Sequence, residues 1–346
     1  MNVANPVADD MAAVGHRLPP TARLRALLLA LALGLGLTAG WEVFLRANGY
    51  RPPSEGDNLT QTADTVRSLD KVDVLILGSS RTRIGVDPDS VNETLQGRRA
   101  STATLPATNS LQLLRLAMAE ENLPPVIALE VLPGVFYRDL DSASTQAART
   151  LLARPVWYSA PEAAYGRMRR KLALAGGRAS PAEVMREELR VTLGLQQEAA
   201  HDPAYIEHPS GWLELRPTPA YLEFAKLDMA HAARVARTRE RHITRAEMDR
   251  LMETLTMLDA ELQQRRCTVV FFRPPSSGQW LEVEDEYFPH ELAWKRIAEA
   301  FPGRTLHFRD ITATSSYELP DGSHLVGPDA KDYSRHLGQW LNQFRR

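Results

Sequence analysis

The stretch Val72-Asp73-Val74-Leu75-Ile76-Leu77-Gly78-Ser79-Ser80-Arg81 constrains this chain more than any other. Val74 to Leu77 is a short unbroken apolar run, the pattern of a parallel strand covered on both faces. Gly78 ends the run; lacking a Cβ, it lets the backbone turn sharply where the strand stops. Two serines follow at the carboxyl end of that strand, which is where open α/β sheets place their ligands. A hydroxyl presented there can receive a substrate carbonyl beside backbone N–H groups. A neutral serine is a weak nucleophile at pH ~7 and needs a base. Far down the chain, Leu319-Pro320-Asp321-Gly322-Ser323-His324-Leu325 reads as a turn before a final helix. Asp321 and His324 are close enough in sequence for one loop to present both. The carboxylate would fix the imidazole tautomer, and the other ring nitrogen would face the serine.

In their order and separation these two segments resemble the SGNH (GDSL-type) hydrolase superfamily, which has a Gly-Asp-Ser-like block after its first strand and an Asp-x-x-His block near its C-terminus. The resemblance puts the nucleophile on Ser80, the acid on Asp321 and the base on His324. Ser79 stands where the family usually has Asp. The Gly-Ser-Ser form is similar to the membrane-anchored branch that includes the teichoic-acid D-alanyl transfer protein, and to alginate-type polysaccharide acetylation proteins. The resemblance covers residues 72–88 and 319–341. It implies an α/β fold with a parallel sheet and helices on both faces, an acyl-serine intermediate, and no cofactor or metal.

The chain departs from the family's pattern at two places. The second block normally brings a Gly backbone N–H to the oxyanion hole, and Ala103 to Ser110 contains no Gly. The third block normally brings an Asn after a strand such as Pro125 to Pro133, and that region offers Glu130, Pro133, Gly134, Phe136 and Tyr137 instead. The candidates left for substrate or oxyanion contact are Ser79, Arg81 and Asn109. Asn109 has a second reading, as the N-cap of a helix from Leu111 to Glu121. Arg81 and Arg83 suit a substrate phosphate or carboxylate, or salt bridges within the fold. Glu130 either faces the site or bonds backbone groups at the strand end.

The N-terminal part adds a membrane. Residues 1–22 read as a disordered cytoplasmic tail, and residues 23–45 as a transmembrane anchor: a Leu-rich helix of about 20 residues, near the minimum for a span. Arg17, Arg23 and Arg25 precede its apolar run, which starts at Ala26, so the positive-inside rule puts the bulk of the chain outside. A cleaved signal peptide is the rival reading, because Thr38-Ala39-Gly40 offers small residues to a peptidase. Residues 46–346 are then an extracytoplasmic domain at the cytoplasmic (inner) membrane, facing the periplasm.

Within that domain, strands are expected over Pro125 to Pro133, Cys267 to Phe272 and Thr305 to Phe308. Helices are expected over Arg245–Arg265, 286–301 and Asp329–Phe344. Alternation of this kind implies a parallel sheet with helices on both faces. Residues 140–245 read as a helical insertion without strands, over the carboxyl edge of the sheet. It carries basic clusters at Arg167, Arg169, Arg170, Lys171 and Arg178, and at Arg234, Arg237, Arg239, Arg241 and Arg245, with Trp157, Tyr158, Tyr165, Trp212, Tyr221 and Phe224 among them. Most of these suit solvated helix faces and core aromatics; together they also suit a glycan or headgroup surface. Over 346 residues the net charge is −2, which gives no global basic bias toward nucleic acid. The single cysteine, Cys267, excludes an intramolecular disulfide and reads as a small core residue.

Two functions are compatible with these features. One is a serine esterase or O-acyltransferase acting on acyl esters of cell-envelope or exported polysaccharide, with a membrane-bound acyltransferase as a partner. The other is a non-catalytic SGNH-like partner in a polysaccharide modification or export complex.

Overall fold

A computed structural model describes residues 19–47, 58–139, 142–153, 186, 189, 205–208, 210–239 and 241–344. Its helices are α1 (Pro20–Ala47), α2 (Asn58–Arg67), α3 (Ser80–Gly85), α4 (Pro88–Thr94), α5 (Ser110–Met118), α6 (Pro133–Phe136), α7 (Ala143–Leu152), α8 (Pro219–Arg239), α9 (Arg245–Gln264), α10 (Gly278–Tyr287), α11 (Trp294–Ala300) and α12 (Gly327–Leu341). Strands β1 (Val74–Gly78), β2 (Ala100–Thr104), β3 (Val126–Glu130), β6 (Thr268–Arg273) and β7 (Thr305–His307) form one parallel sheet in the order β2-β1-β3-β6-β7. Strands β4 (Tyr205–Glu207) and β5 (Leu213–Leu215) form a separate antiparallel pair.

The unbroken apolar runs are explained by where their side chains go. Successive residues of a strand point to opposite faces. Leu75, Leu77, Ile127, Leu129, Val269 and Phe271 therefore enter one core, together with Leu113 of α5, Leu255 of α9 and Ile297 of α11. Val74, Ile76, Val126, Ala128, Val270 and Phe272 enter the other, with Val91 of α4 and Leu337 of α12. Both faces of β1, β3 and β6 are covered, and β1 is buried at all its positions. Cys267 is buried in the first core.

The order of the strands locates the site. The chain passes from β1 to β2 on one side, then crosses back to β3 on the other. The connections therefore diverge between β1 and β3, and the crevice outside the carboxyl ends of strands at such a switch point is where open α/β sheets bind ligands. Gly78-Ser79-Ser80 lies at that point.

Two expectations need correction, and one strand had no expectation set for it. Residues 140–245 contain the pair β4 and β5, which was not anticipated because each strand is three residues long. Strand β2, Ala-Ser-Thr-Ala-Thr, lacks the large apolar residues that mark its neighbours, and exists because β1 pairs with it along its length. The helix expected over 286–301 is interrupted: α10 ends at Tyr287 and α11 runs only over Trp294–Ala300, with Pro289 between them, where a missing N–H cannot continue a helix. Helix α1 is 28 residues long, and it is the one described helix long and apolar enough to cross a membrane. Leu27, Leu31 and Leu35 are exposed along it. The first basic cluster, Arg167 to Arg178, and Trp157, Tyr158 and Tyr165 lie outside the described residues.

Candidate active site

The site begins with the turn after β1. Ser79 is the N-cap of α3: its Oγ accepts the Arg81 N–H at 3.2 Å. Glu130, at the end of β3, is buried beside it and takes three donors. They are the Ser79 N–H, the Ser79 hydroxyl at 2.8 Å and the Thr82 hydroxyl at 2.7 Å. Glu130 thus binds the strand end. Gly78 is required by this arrangement, because a Cβ there would run into Thr82 Oγ1 and Glu130 Oε2. The two serines are thereby separated: Ser79 is fully buried, whereas Ser80 is half-buried and lines an open cleft.

The loop before α12 meets Ser80 from the far end of the chain. His324 Nε2 lies 3.1 Å from Ser80 Oγ, and His324 Nδ1 lies 2.6 Å from Asp321 Oδ2. The other carboxylate oxygen, Asp321 Oδ1, accepts the backbone N–H groups of Ser323 at 2.9 Å and His324 at 2.8 Å. Burial by itself would raise the Asp321 carboxyl. The His324 ring and the two backbone donors override that and hold it well below the usual carboxylate range. Asp321 is therefore ionised at neutral pH and fixes the imidazole with Nδ1–H toward itself, leaving Nε2 as the acceptor for the Ser80 hydroxyl.

Tyr221 of α8 adds a contact that the sequence did not reveal. Its hydroxyl donates to Asp321 Oδ2 at 3.1 Å, and the Tyr205 hydroxyl of β4 lies 3.1 Å from that of Tyr221. Burial, and then the nearby Asp321 charge, push the Tyr221 phenol well above its ordinary value, so it stays a donor. Its oxygen then accepts from Tyr205. The pair β4 and β5 is seated against α3: Leu213 and Leu215 pack on Ile84, and the Trp212 indole donates to the Ile84 carbonyl at 2.7 Å. No local pattern could have signalled Tyr221, because it stands 100 residues from Asp321.

Arg81 lines the same cleft but is committed underneath it. Its Nη2 lies 2.6 Å from Glu284 Oε1 of α10, and Glu284 Oε2 also accepts from Arg273 at 3.0 Å and Ser276 at 2.7 Å. Burial would raise the Glu284 carboxyl, and the two guanidiniums instead bring it down to about 2. Arg83 faces Glu207 of β4 at 3.6 Å, so both arginines make ion pairs within the fold. Arg237 and Arg241, from the second basic cluster, likewise pair with Glu282 and Glu247.

Two of the oxyanion candidates are engaged within the fold. Ser79 has its hydroxyl and its N–H engaged with Glu130. Asn109 caps α5 through Oδ1 and donates through Nδ2 to Asp139 at 3.2 Å. Neither lines the cleft. Ala107 does, and it takes a left-handed conformation with φ of 50°. A non-Gly residue rarely adopts this, so the segment after β2 holds a glycine-like backbone without a glycine. Among the described residues no group of His, Cys, Asp or Glu could hold a metal ion. No protein-family model matches the chain, and no match was found among curated proteins or among solved structures.

Proposed function

We propose that this protein is a serine esterase or O-acyltransferase of the SGNH kind, carried on the outer side of the cytoplasmic membrane by α1 and acting on acyl esters of cell-envelope or exported polysaccharide. The observation that carries this reading is the aligned series from Asp321 through His324 to Ser80, at 2.6 and 3.1 Å, opening on a cleft at the switch point of the sheet. Nucleophile, base and orienting carboxylate are each within hydrogen-bond reach of the next, which is the geometric requirement for nucleophilic acyl transfer.

In the first half-reaction Ser80 Oγ forms a bond to the ester carbonyl carbon while its proton passes to His324 Nε2. The C–O bond to the alcohol then breaks, and His324 returns the proton to the leaving oxygen. In the second half, water or a sugar hydroxyl gives its proton to His324 and attacks the acyl-Ser80 carbonyl; the bond from the acyl carbon to Ser80 Oγ then breaks, and His324 returns the proton to Ser80 Oγ. Water makes the protein an esterase; a sugar hydroxyl makes it a transferase. Asp321 stays ionised throughout and stabilises the imidazolium. The oxyanion is received by backbone N–H groups: that of Ser80, which as the first residue of α3 has no intrahelical acceptor, and that of Ala107. The left-handed Ala107 in the cleft wall supports the second of these.

The test is covalent. A fluorophosphonate probe should label the wild-type chain at Ser80, and labelling should be lost in Ser80→Ala and fall steeply in His324→Ala. Absence of labelling in a folded wild-type protein would leave the non-catalytic partner as the reading.

A further inference from the structure

We infer that the cleft beside Ser80 is built for an acyl group longer than acetyl, a linear chain from butanoyl to octanoyl. This rests on the proposed acyl transfer at Ser80 and specifies its donor.

The cleft has a volume of about 460 Å³, within the range of about 300–1,000 Å³ usual for small-molecule sites and far more than a two-carbon acyl group needs. Away from Ser80 and His324 its walls are Leu132, Val135, Ala236, Trp280, Val283 and Phe288. These come from four places in the fold: the start of α6, the helix α8, the helix α10 and the residue that ends α10. Val283 and Phe288 are buried members of the first core, so this wall is continuous with the packed interior. Helix α10 is turned toward the nucleophile by a fixed contact. Glu284 is paired with Arg81, the residue after Ser80, and Trp280 lies one turn earlier on the same face of the helix. Trp280 also packs against Gly322, between Asp321 and His324, so its indole stands at the catalytic loop.

Such a surface has little to offer a sugar. Recognition of hydroxyls requires convergent donors and acceptors. Glu284 is engaged with Arg81 and Arg273, and Arg138 with the Arg241 carbonyl and the face of Phe288; Asp228 of α8 also lines the cleft but is solvent-exposed and stands without a converging polar partner among the described residues. Apolar walls do favour methylene groups, by about fourfold in affinity for each one buried. An acetyl group would leave those walls to water. A chain ending at Ser80 would cover them, with the alcohol half of the ester directed to the open side.

The experiment uses the full-length chain in lipid nanodiscs, without detergent that would compete for the cleft. Hydrolysis of p-nitrophenyl acetate, butanoate, hexanoate and octanoate is measured, together with binding of sodium hexanoate and sodium acetate by calorimetry. We expect kcat/KM to peak between butanoate and octanoate, at least about tenfold above acetate, and hexanoate to bind at least about tenfold more tightly than acetate. Ala236→Phe, which fills the cleft from α8, should reduce the hexanoate-to-acetate ratio about tenfold in both measurements. Val135→Phe does the same from α6 if the first variant does not fold. Acetate as the best substrate, with rates falling as the chain lengthens, would overturn the inference while leaving the esterase reading intact. If no ester of any length is cleaved, the hydrolase reading falls and binding alone decides. Tighter hexanoate binding that Ala236→Phe removes upholds the acyl site, and equal binding of the two acids ends it.

Discussion

Replacing Glu284 by Gln removes the negative charge held between two buried guanidiniums. Arg81 and Arg273 approach the carboxylate at 2.6 and 3.0 Å, and all three side chains are nearly inaccessible. Burial opposes ionisation of Glu284, but the arginines lower it from its ordinary 4.5 to about 2. A carboxyl that is depressed on folding adds stability that is fully present above its unfolded value and is lost as pH falls through its folded value. At about 1.4 kcal/mol per pH unit, the difference between the two values corresponds to about 3 kcal/mol. That agrees with the cost of about 3–5 kcal/mol usual when one partner of a buried ion pair is removed. The assay is urea unfolding of wild type and Glu284→Gln, followed by tryptophan fluorescence at several pH values. The wild type should be more stable by about 3 kcal/mol at pH ~7, and the gap should fall to roughly half by pH ~3. A gap that does not change between pH ~7 and ~3, or one below about 1 kcal/mol at neutrality, would refute the claim that Arg81 and Arg273 hold this carboxylate ionised.

Two other substitutions probe the turn and the triad. Gly78→Ala places a Cβ against Thr82 Oγ1 and Glu130 Oε2; it should cost about 3 kcal/mol or more in unfolding free energy, and wild-type stability would show that the turn opens freely. Tyr221→Phe removes one donor from Asp321 without touching Ser80 or His324; it should slow labelling of Ser80 by a fluorophosphonate about fivefold, and an unchanged rate would show that the phenol only fills space.

Much of the architecture was legible because local pattern reports what a segment must bury. Val74 to Leu77, Val126 to Leu129 and Val269 to Phe272 have no polar side to expose, so they had to be central strands. Helix α9 declares its buried face through the helical spacing of Met248, Leu251 and Leu255, and the structure adds a reciprocal cap of Thr244 and Glu247 at its start. The loop of Asp321 and His324 was readable for a similar reason: its internal geometry spans three residues, so spacing alone brings the carboxylate to the ring.

The rest was decided by contacts between segments far apart in the chain. Gly78-Ser79-Ser80 does not by itself say which serine faces the cleft. Glu130, brought alongside by the pairing of β1 with β3, draws Ser79 into the core and leaves Ser80 outside. Asn109 had two readings, as a helix cap and as a polar donor; the start of α5 and the neighbouring Asp139 occupy the two ends of its amide. Strand β2 has an unremarkable composition and is a strand because β1 offers it a free edge. Tyr221 and the apolar wall of the cleft come from α8, α10 and α6, each contributing a face whose partner no local pattern names. Residue type and spacing determined the strands, the helix faces and the Asp-x-x-His loop, since these depend on burial and on short-range geometry. Which side chains share the space around Ser80 depends on strand order and helix packing, and these bring together residues that the chain itself keeps 51, 100 and 244 positions apart.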